Sequence, residues 1–258
     1  MTDYFGQKWQ AILSANNLDN FDLIWNLKTD WFEEPNVRRG GWSGVVKVAL
    51  DTPNGPASVF IKRQENHVTK TPLHPIKGRP TFEREFKNIL RLRKHNLPTL
   101  EPVYFSKRTH NGDLQAILIT KELEGYTSLD SVRFLSYGDL IADKAHKHRL
   151  LKAVADTLRS MHHYHFQHNC FYLKHVFVKA IDDDWSIRII DLEKLKRTTF
   201  RKDAAFRDLF TLHRHAKGWS YQDHVKLFQY YVQETSLSAQ SKTLWRLIEA
   251  KVLSKRDK

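Results

Sequence analysis

The chain of 258 residues is 41% hydrophobic and 12% aromatic, with seven tryptophans, which is enough for one large domain or two lobes and excludes disorder over most of its length. Lys and Arg outnumber Asp and Glu by 42 to 29, a net charge of +13; this suits a solvated basic surface or an acidic partner such as a nucleotide, a nucleic acid, or an anionic membrane or glycolipid. One cysteine excludes an intrachain disulfide and fits a reducing compartment, the amphipathic start is not a signal peptide, and no apolar run is long enough for a transmembrane helix.

In chain order, Asp3 to Ala15 is predicted to be a helix. Tyr4, Trp9, Ile12 and Leu13 give it an apolar face, Thr2 or Asp3 is its cap, and Asn16-Asn17 and Asp19-Asn20 break it. Val37 to Val48 carries a glycine-bearing turn, RRGGWSG, and then alternates like a strand. Pro53-Asn54-Gly55-Pro56 reverses the chain, and Ser58 to Lys62 returns as a strand ending in lysine. Glycines in such a turn let backbone N–H groups approach phosphates, although a plain β-turn is the commoner explanation of the turn alone.

Residues 63–80 are Pro- and Lys-rich with little periodicity and read as a loop, carrying Arg63, Lys70, Lys77 and Arg79. Thr81 to Leu92 is predicted to be a helix capped by Thr81, with Phe82, Phe86, Ile89 and Arg93 on one side. Glu85 is the candidate partner of Lys62; Glu83 and Glu85 are also ordinary acids of a first helical turn. Glu101–Phe105 and Gln115–Thr120 are strands about the turn His110-Asn111-Gly112-Asp113, and Ile119 to Glu124 is either a hinge or a bare strand end.

Ala145 to His163 is a helix with Leu151, Val154, Leu158 and Met161 at helical spacing. It leads into a histidine-rich stretch (His162, His163, His165, His168, His175) in which zinc ranks low for want of paired cysteines. Val176–Ala180 and Ile187–Ile190 form a hairpin about the acidic tip Asp182-Asp183-Asp184. Its open end brings His175 beside Asp191, a plausible seat for Mg²⁺ with a polyphosphate. Three helices follow, Asp203–Lys217, Tyr221–Glu234 and Ser241–Leu253, with Asp208 placed to brace the loop at His168 or to serve as a surface acid; the tail from Lys255 to Lys258 is expected to fray.

This layout is similar to a kinase core, where H-R-D-x-x-x-x-N precedes a hairpin and a D-F-G Asp follows it. His168 matches the first His, His175 the final metal-ligand position and Asp191 the metal Asp, while Cys170 stands where kinases have the catalytic Asp. The segments RRGGWSG, FIK at 60–62, HPIKGRPTFEREF at 74–86, LPTLEPV at 97–103, HNCFYLKHVFV at 168–178 and IIDLEKLKR at 189–197 together resemble the lipopolysaccharide kinase (Kdo/WaaP) family, especially its InaA-like branch. The resemblance runs over roughly positions 36–215. It implies an α+β, protein-kinase-like fold of two lobes: an antiparallel-sheet N-lobe over 1–124 and a mainly helical C-lobe over 125–258. It also implies a Gram-negative cytoplasm, at or near the inner face of the inner membrane.

By the same resemblance the cofactors are ATP and Mg²⁺, and the acceptor is an anionic glycolipid or core sugar. Gly40, Gly41, Ser43 and Gly44 would cover the phosphates, Lys62 would hold them with Glu85 as its partner, and His175 and Asp191 would hold Mg²⁺. His168, Cys170 and Asp191 make up the catalytic set. Nucleic-acid motifs are absent, so no nucleic-acid partner is expected. A thiol is a poor substitute for the base. The alternative is therefore a kinase-fold binding protein of the InaA type, tied to acid or stress response, with little or no phosphotransfer.

Overall fold

Alternation within Ala57–Glu65 sets the architecture of the N-terminal half. Val59 and Ile61 are buried in an apolar core, whereas Phe60, Lys62 and Gln64 point to the opposite face. The computed structural model describes residues 3–38, 40–71, 74–131 and 143–255 and divides into two units. One holds the described residues of Met1–Arg91 and Leu100–Leu123, the other those of Leu92–Thr99 and Glu124–Lys258.

The first unit is built on a six-stranded antiparallel sheet of β1 (Tyr4–Phe5), β2 (Trp31–Arg38), β3 (Gly41–Leu50), β4 (Ala57–Glu65), β7 (Pro102–His110) and β8 (Asp113–Lys121), in the order β1-β7-β8-β4-β3-β2. Helices α1 (Trp9–Ala15) and α2 (Phe21–Trp25) close one face over Val46, Val59, Ile61, Ile117 and Ile119. On the other face, α3 (Thr81–Lys94) stacks Phe86 on Phe105 of β7, with ring centroids 4.4 Å apart. Between β4 and α3, β5 (Val68–Thr71) and β6 (His74–Pro80) form a separate two-stranded hairpin.

Several expectations need correction here. The predicted helix from Asp3 begins only at Trp9, because Tyr4 and Phe5 pair with Phe105 and Tyr104 instead. Asp3 caps nothing: its carboxylate accepts from Tyr104 Oη at 2.7 Å and Ser106 Oγ at 2.6 Å. Thr2 lies outside the described residues. The segment 63–80 is not a loop, since β4 continues to Glu65 and β5 pairs with β6, Val68 against Pro80 and Thr69 against Arg79. Pro75 and Pro80 suit an edge ladder, where they hid the strand pattern. Lys62 consequently sits within β4 rather than at its end. Thr81 is the first helical residue rather than a cap; the free Phe82 N–H donates to the Gln64 side chain at 2.8 Å, and Thr81 Oγ1 donates to the same oxygen at 2.8 Å. Arg93, placed with the apolar side of this helix, is exposed. α2, capped by Asn20 through Leu23 N–H at 3.0 Å, was not anticipated.

The second unit is mainly helical: α4 (Lys144–His163), α5 (Arg201–His215), α6 (Tyr221–Val232) and α7 (Ala239–Leu253). α4 packs against both α5 and α6, burying Leu151, Val154, Leu158 and Met161. Ser220 and Asp223 form a reciprocal capping box on α6, so this start is written locally in the sequence. β9 (Thr127–Ser128), β11 (Val176–Ile181) and β12 (Asp184–Ile189) make a three-stranded sheet in the order β12-β11-β9, and β10 (Phe166–Gln167) pairs with β13 (Lys196–Arg197). The hairpin tip is shorter than predicted, because Asp184 already belongs to β12 and pairs with Ile181. Asp182, at φ 52°, makes the reversal. The tail at 256–258 lies outside the described residues, and among those described no helix is long and apolar enough to cross a membrane.

Candidate active site

In the first unit, β-sheet register fixes the direction of Lys62. It stands opposite Val45 on β3 and Leu118 on β8, on the face covered by α3. Lys62 Nζ meets Glu85 Oε1 at 2.6 Å, with Glu85 nearly buried and Lys62 partly so. The Phe82 ring lies 5.9 Å from the same ammonium. The neighbouring Glu83 is committed elsewhere, bonding Lys87 and Lys107 at 2.6 Å each. Burial alone would raise the Glu83 pKa, but the two lysines hold it below the usual carboxylate value.

The predicted glycine cluster separates into different roles. Gly40, at φ 77°, belongs to the β2–β3 reversal and has open space around a would-be Cβ. Gly41 and Gly44 lie in β3. A Cβ on Gly41 would come within 2.0 Å of the Glu65 carbonyl oxygen, and one on Gly44 within 2.6 Å of the Trp31 ring. Sheet packing therefore demands those two glycines irrespective of any ligand. Ser43, opposite Gln64, is half-buried on the Lys62 face. Arg39 lies outside the described residues.

In the second unit, the loop between β10 and β11 is held from beneath by Asp208 of α5. This fully buried carboxylate accepts from His168 N–H at 2.7 Å, Asn169 N–H at 2.9 Å and His162 Nε2 at 3.1 Å. Because a carboxylate accepts, Nε2 of His162 carries the hydrogen, and Nδ1 takes that of Tyr231 Oη at 2.9 Å. Burial raises the Tyr231 pKa and keeps its hydroxyl protonated. Tyr231, His162 and Asp208 thus form one hydrogen-bonded chain ending on the loop backbone. Asn169 adopts φ 69°, a left-handed conformation asparagine tolerates, and its side chain donates to the Lys194 carbonyl at 2.7 Å.

His168 is fully buried, and both ring nitrogens are engaged: Nε2 donates to the Ile190 carbonyl at 3.0 Å, and Nδ1 accepts from Cys170 N–H at 3.3 Å. Burial lowers its pKa, so the neutral ring is the stable form. With no free nitrogen and no exposure, His168 ties the loop to the hairpin rather than meeting a substrate, a correction to its place in the expected catalytic set. At the hairpin mouth, Ile190 N–H donates to the His175 carbonyl at 3.1 Å, and His175 Nε2 lies 3.2 Å from Asp191 Oδ2. Asp191 is in the left-handed region at φ 56°, which aspartate adopts more readily than most residues, and its side chain is 44% exposed.

Sequence reasoning grouped His162 with a low-ranked zinc site. The helix ends at His163, His165 follows at φ 64°, and among the described residues no group of three or more His, Cys, Asp or Glu is placed to hold a metal. The roles of His162 and Tyr231 were not foreseen; their only sequence signal was a polar residue on the buried face of each helix.

The profile of the lipopolysaccharide kinase (Kdo/WaaP) family matches residues 22–231. The chain belongs to this family. It is 30% identical over 213 residues to Protein InaA of Escherichia coli (strain K12), covering 83% of this chain and 95% of InaA. The solved structure of WaaP in complex with acyl carrier protein superposes with a TM-score of 0.70 over 98% of this chain and 99% of that one, at 18% identity. That likeness shows the protein-kinase-like α+β fold.

Kinase membership implies ATP and a divalent ion, and the donors at the hairpin mouth can be tested for fit. His175 Nδ1 faces the Cys170 carbonyl at 2.8 Å, which only accepts, so the ring hydrogen of neutral His175 is on Nδ1. Its Nε2 lone pair then points at a carboxylate oxygen 3.2 Å away. Burial lowers the His175 pKa, partly offset by Asp191, which disfavours relief by protonation near neutral pH. A cation bound by both atoms would remove the conflict; adjacent ligands of an octahedral ion at ~2.1 Å lie about 3 Å apart. The pair fits a divalent ion as two of its ligands. At the kinase base position, by contrast, Cys170 is buried and its thiol pKa is raised by that burial.

Proposed function

We propose that the chain is a kinase that uses ATP and Mg²⁺ to phosphorylate a sugar hydroxyl of the lipopolysaccharide core, working in the cytoplasm at the inner face of the membrane. The Lys62–Glu85 pair at 2.6 Å carries the reading. A nearly buried glutamate that positions a partly exposed lysine leaves the ammonium able to reach a second anion, and in kinases that anion is the α/β-phosphate. In this reading the reversal at Gly40 and the start of β3 at Gly41, Ser43 and Gly44 cover the phosphates, and the backbone from Ile119 to Glu124 meets the purine edge. Bound ATP and its metal supply the phosphoryl group and the charge that stabilises its transfer. His175 and Asp191 hold the ion, while Asp208 fixes the loop that presents His175. The family match and the basic surface support an anionic glycolipid acceptor.

A second reading is favoured by one observation, the buried Cys170 with its raised thiol pKa. Without a base, transfer falls by ~10²–10⁴-fold, and a nucleotide-binding protein with residual turnover remains. Calorimetry of ATP binding with Mg²⁺ tests the first step. Binding is expected to need the metal and to be lost in Lys62→Ala and Asp191→Asn; a wild-type protein that binds no ATP refutes the kinase reading. Turnover of Cys170→Asp against wild type then separates enzyme from binder: a preserved or increased rate marks an enzyme, background in both a binding protein.

A further inference from the structure

We propose that the segment Lys196–Lys202 is a docking face for an anionic phospholipid surface. From Lys194 to Arg207 the chain carries Lys194, Lys196, Arg197, Arg201, Lys202 and Arg207 against the single acid Asp203. Lys196, Arg197, Phe200, Arg201 and Lys202 are all exposed, and among the described residues none of these four cations has an ion-pair partner.

The segment is built against local preference. Phe200 occupies the N-cap of α5, where Ser, Thr, Asp or Asn would bond the free N–H groups; it makes no side-chain cap and is 57% exposed. Arg201 and Lys202 share the first turn with Asp203, at the positive end of the helix dipole, where the acid is favourable and the two cations are not. Neither choice serves folding, and a bound anionic surface compensates both.

The face is also held in place. Residues 196 and 197 pair with β10, Thr198 N–H donates to the His165 carbonyl at 2.9 Å, and Thr198 Oγ1 donates to the Phe200 carbonyl at 3.0 Å. Arg197 lies over the Phe166 ring, which meets His95, which in turn meets the 37% exposed Tyr164 at 4.2 Å. The basic run is thereby joined to exposed Arg93 and Lys94 on the end of α3.

A lipid surface suits this mixture better than a nucleic acid does. Cations flanking one protruding aromatic residue match headgroup phosphates above an apolar boundary. Single-stranded nucleic acid calls for successive free aromatic faces, whereas Phe200 has Lys202 5.4 Å from its ring centre and Tyr164 packs on His95 at 4.2 Å. The purpose of docking rests on the kinase reading: Lys196 follows Asp191 by five residues, at most ~18 Å of chain, so an acceptor in the same leaflet would be presented near the metal end.

The test is sedimentation of the full chain with vesicles of phosphatidylcholine alone and of phosphatidylcholine with phosphatidylglycerol, without nucleotide. Binding is expected only to the anionic vesicles and is lost on going from about 0.1 M to about 1 M salt. Lys196→Gln/Arg201→Gln/Lys202→Gln should weaken it about a hundredfold, at about fivefold per cation, and Phe200→Ala by a further several-fold. Lys242→Gln/Arg246→Gln/Lys251→Gln, an equal neutralisation on exposed positions of α7, should leave it unchanged. Equal loss in both triple variants, binding to uncharged vesicles alone, or tighter binding of an oligonucleotide through the same residues overturns the proposal. Asp191→Asn should bind vesicles normally while losing ATP, and a wild type that binds vesicles but no ATP would refute the kinase reading while leaving the docking face intact.

Discussion

Asp208→Asn tests whether one buried carboxylate organises the His168 loop. In the native chain its oxygens receive two backbone N–H groups and the Nε2–H of His162, with no solvent exposure. Asparagine keeps the shape and one acceptor, but its amide N–H₂ faces at least one of those donors. A charge-assisted hydrogen bond contributes about 1.5–3 kcal/mol, and a buried donor left unpaired costs about 1–3 kcal/mol. The substitution is therefore expected to destabilise the second unit by about 2–4 kcal/mol, and Asp208→Ala, which strands all three donors, by about 3–6 kcal/mol. Urea unfolding gives the total, and amide hydrogen exchange at His168 and Asn169 gives the local share. Protection at those two amides should fall further than protection across α7, which the carboxylate does not touch. Destabilisation by Asp208→Asn below about 0.5 kcal/mol, or a uniform loss of protection across the unit, would refute the bracing argument.

Gly41→Ala should disrupt the edge of the first sheet, costing about 3 kcal/mol or more because backbone lies 2.0 Å from the new Cβ. Gly40→Ala should cost only about 1–2 kcal/mol of left-handed strain, and thermal unfolding of the pair of variants checks the difference. Glu83→Gln leaves Lys87 and Lys107 without their shared carboxylate; since both lysines retain some solvent, about 1–3 kcal/mol is expected by chemical denaturation. Burial lowers the pKa of both His168 and His175 in the folded chain, so the unfolded chain binds more protons below its ordinary histidine value of about 6.5. Stability should be fully present above that pH and fall as pH drops through it, by about 1.4 kcal/mol per pH unit for each histidine until the folded value is reached. A melting temperature that stays flat from about pH 8 to about pH 5 would exclude the neutral-histidine assignment.

How much of this was legible in the sequence depended on burial. The Lys62 strand, the helix carrying Glu85 and the hairpin from Val176 to Ile189 each pack against a core, so their apolar periods are clean. Antiparallel pairing brings His175 and Asp191 to the same hairpin mouth, but with Val176 opposite Ile189 the register sets Ile190 against His175, so the 3.2 Å contact with Asp191 was legible only in part. β2 left no such mark: its burial pattern is almost wholly exposed, it contains Pro35, and its pairing with β3 shifts register twice. β5 and β6 were hidden by the same edge character. The Asp208 brace was visible in part, as an aspartate in a helix after the hairpin. Its extension to Tyr231 was not, because a hydrogen bond between residues 69 apart has no local signature.

The two ends of the loop differ in what folding requires of them. His168, Asp208 and His162 are buried and mutually satisfied, and the fold accounts for all three. Cys170 is likewise explained as a small buried side chain. Asp191 is not: it is half-exposed, sits in left-handed backbone, and faces an imidazole nitrogen whose hydrogen is on the other side of the ring. The opposed lone pairs are relieved by a cation held between them, whereas the left-handed backbone is one that aspartate tolerates. Folding physics therefore accounts for the base position but leaves a deficit at the metal position, so ion binding should outlast the loss of the base. Manganese, more tolerant of a nitrogen ligand than magnesium, should bind the wild type more tightly in calorimetry, and His175→Asn should erase that preference while keeping magnesium. Equal affinity of the wild type for both ions would mean that His175 is not a ligand.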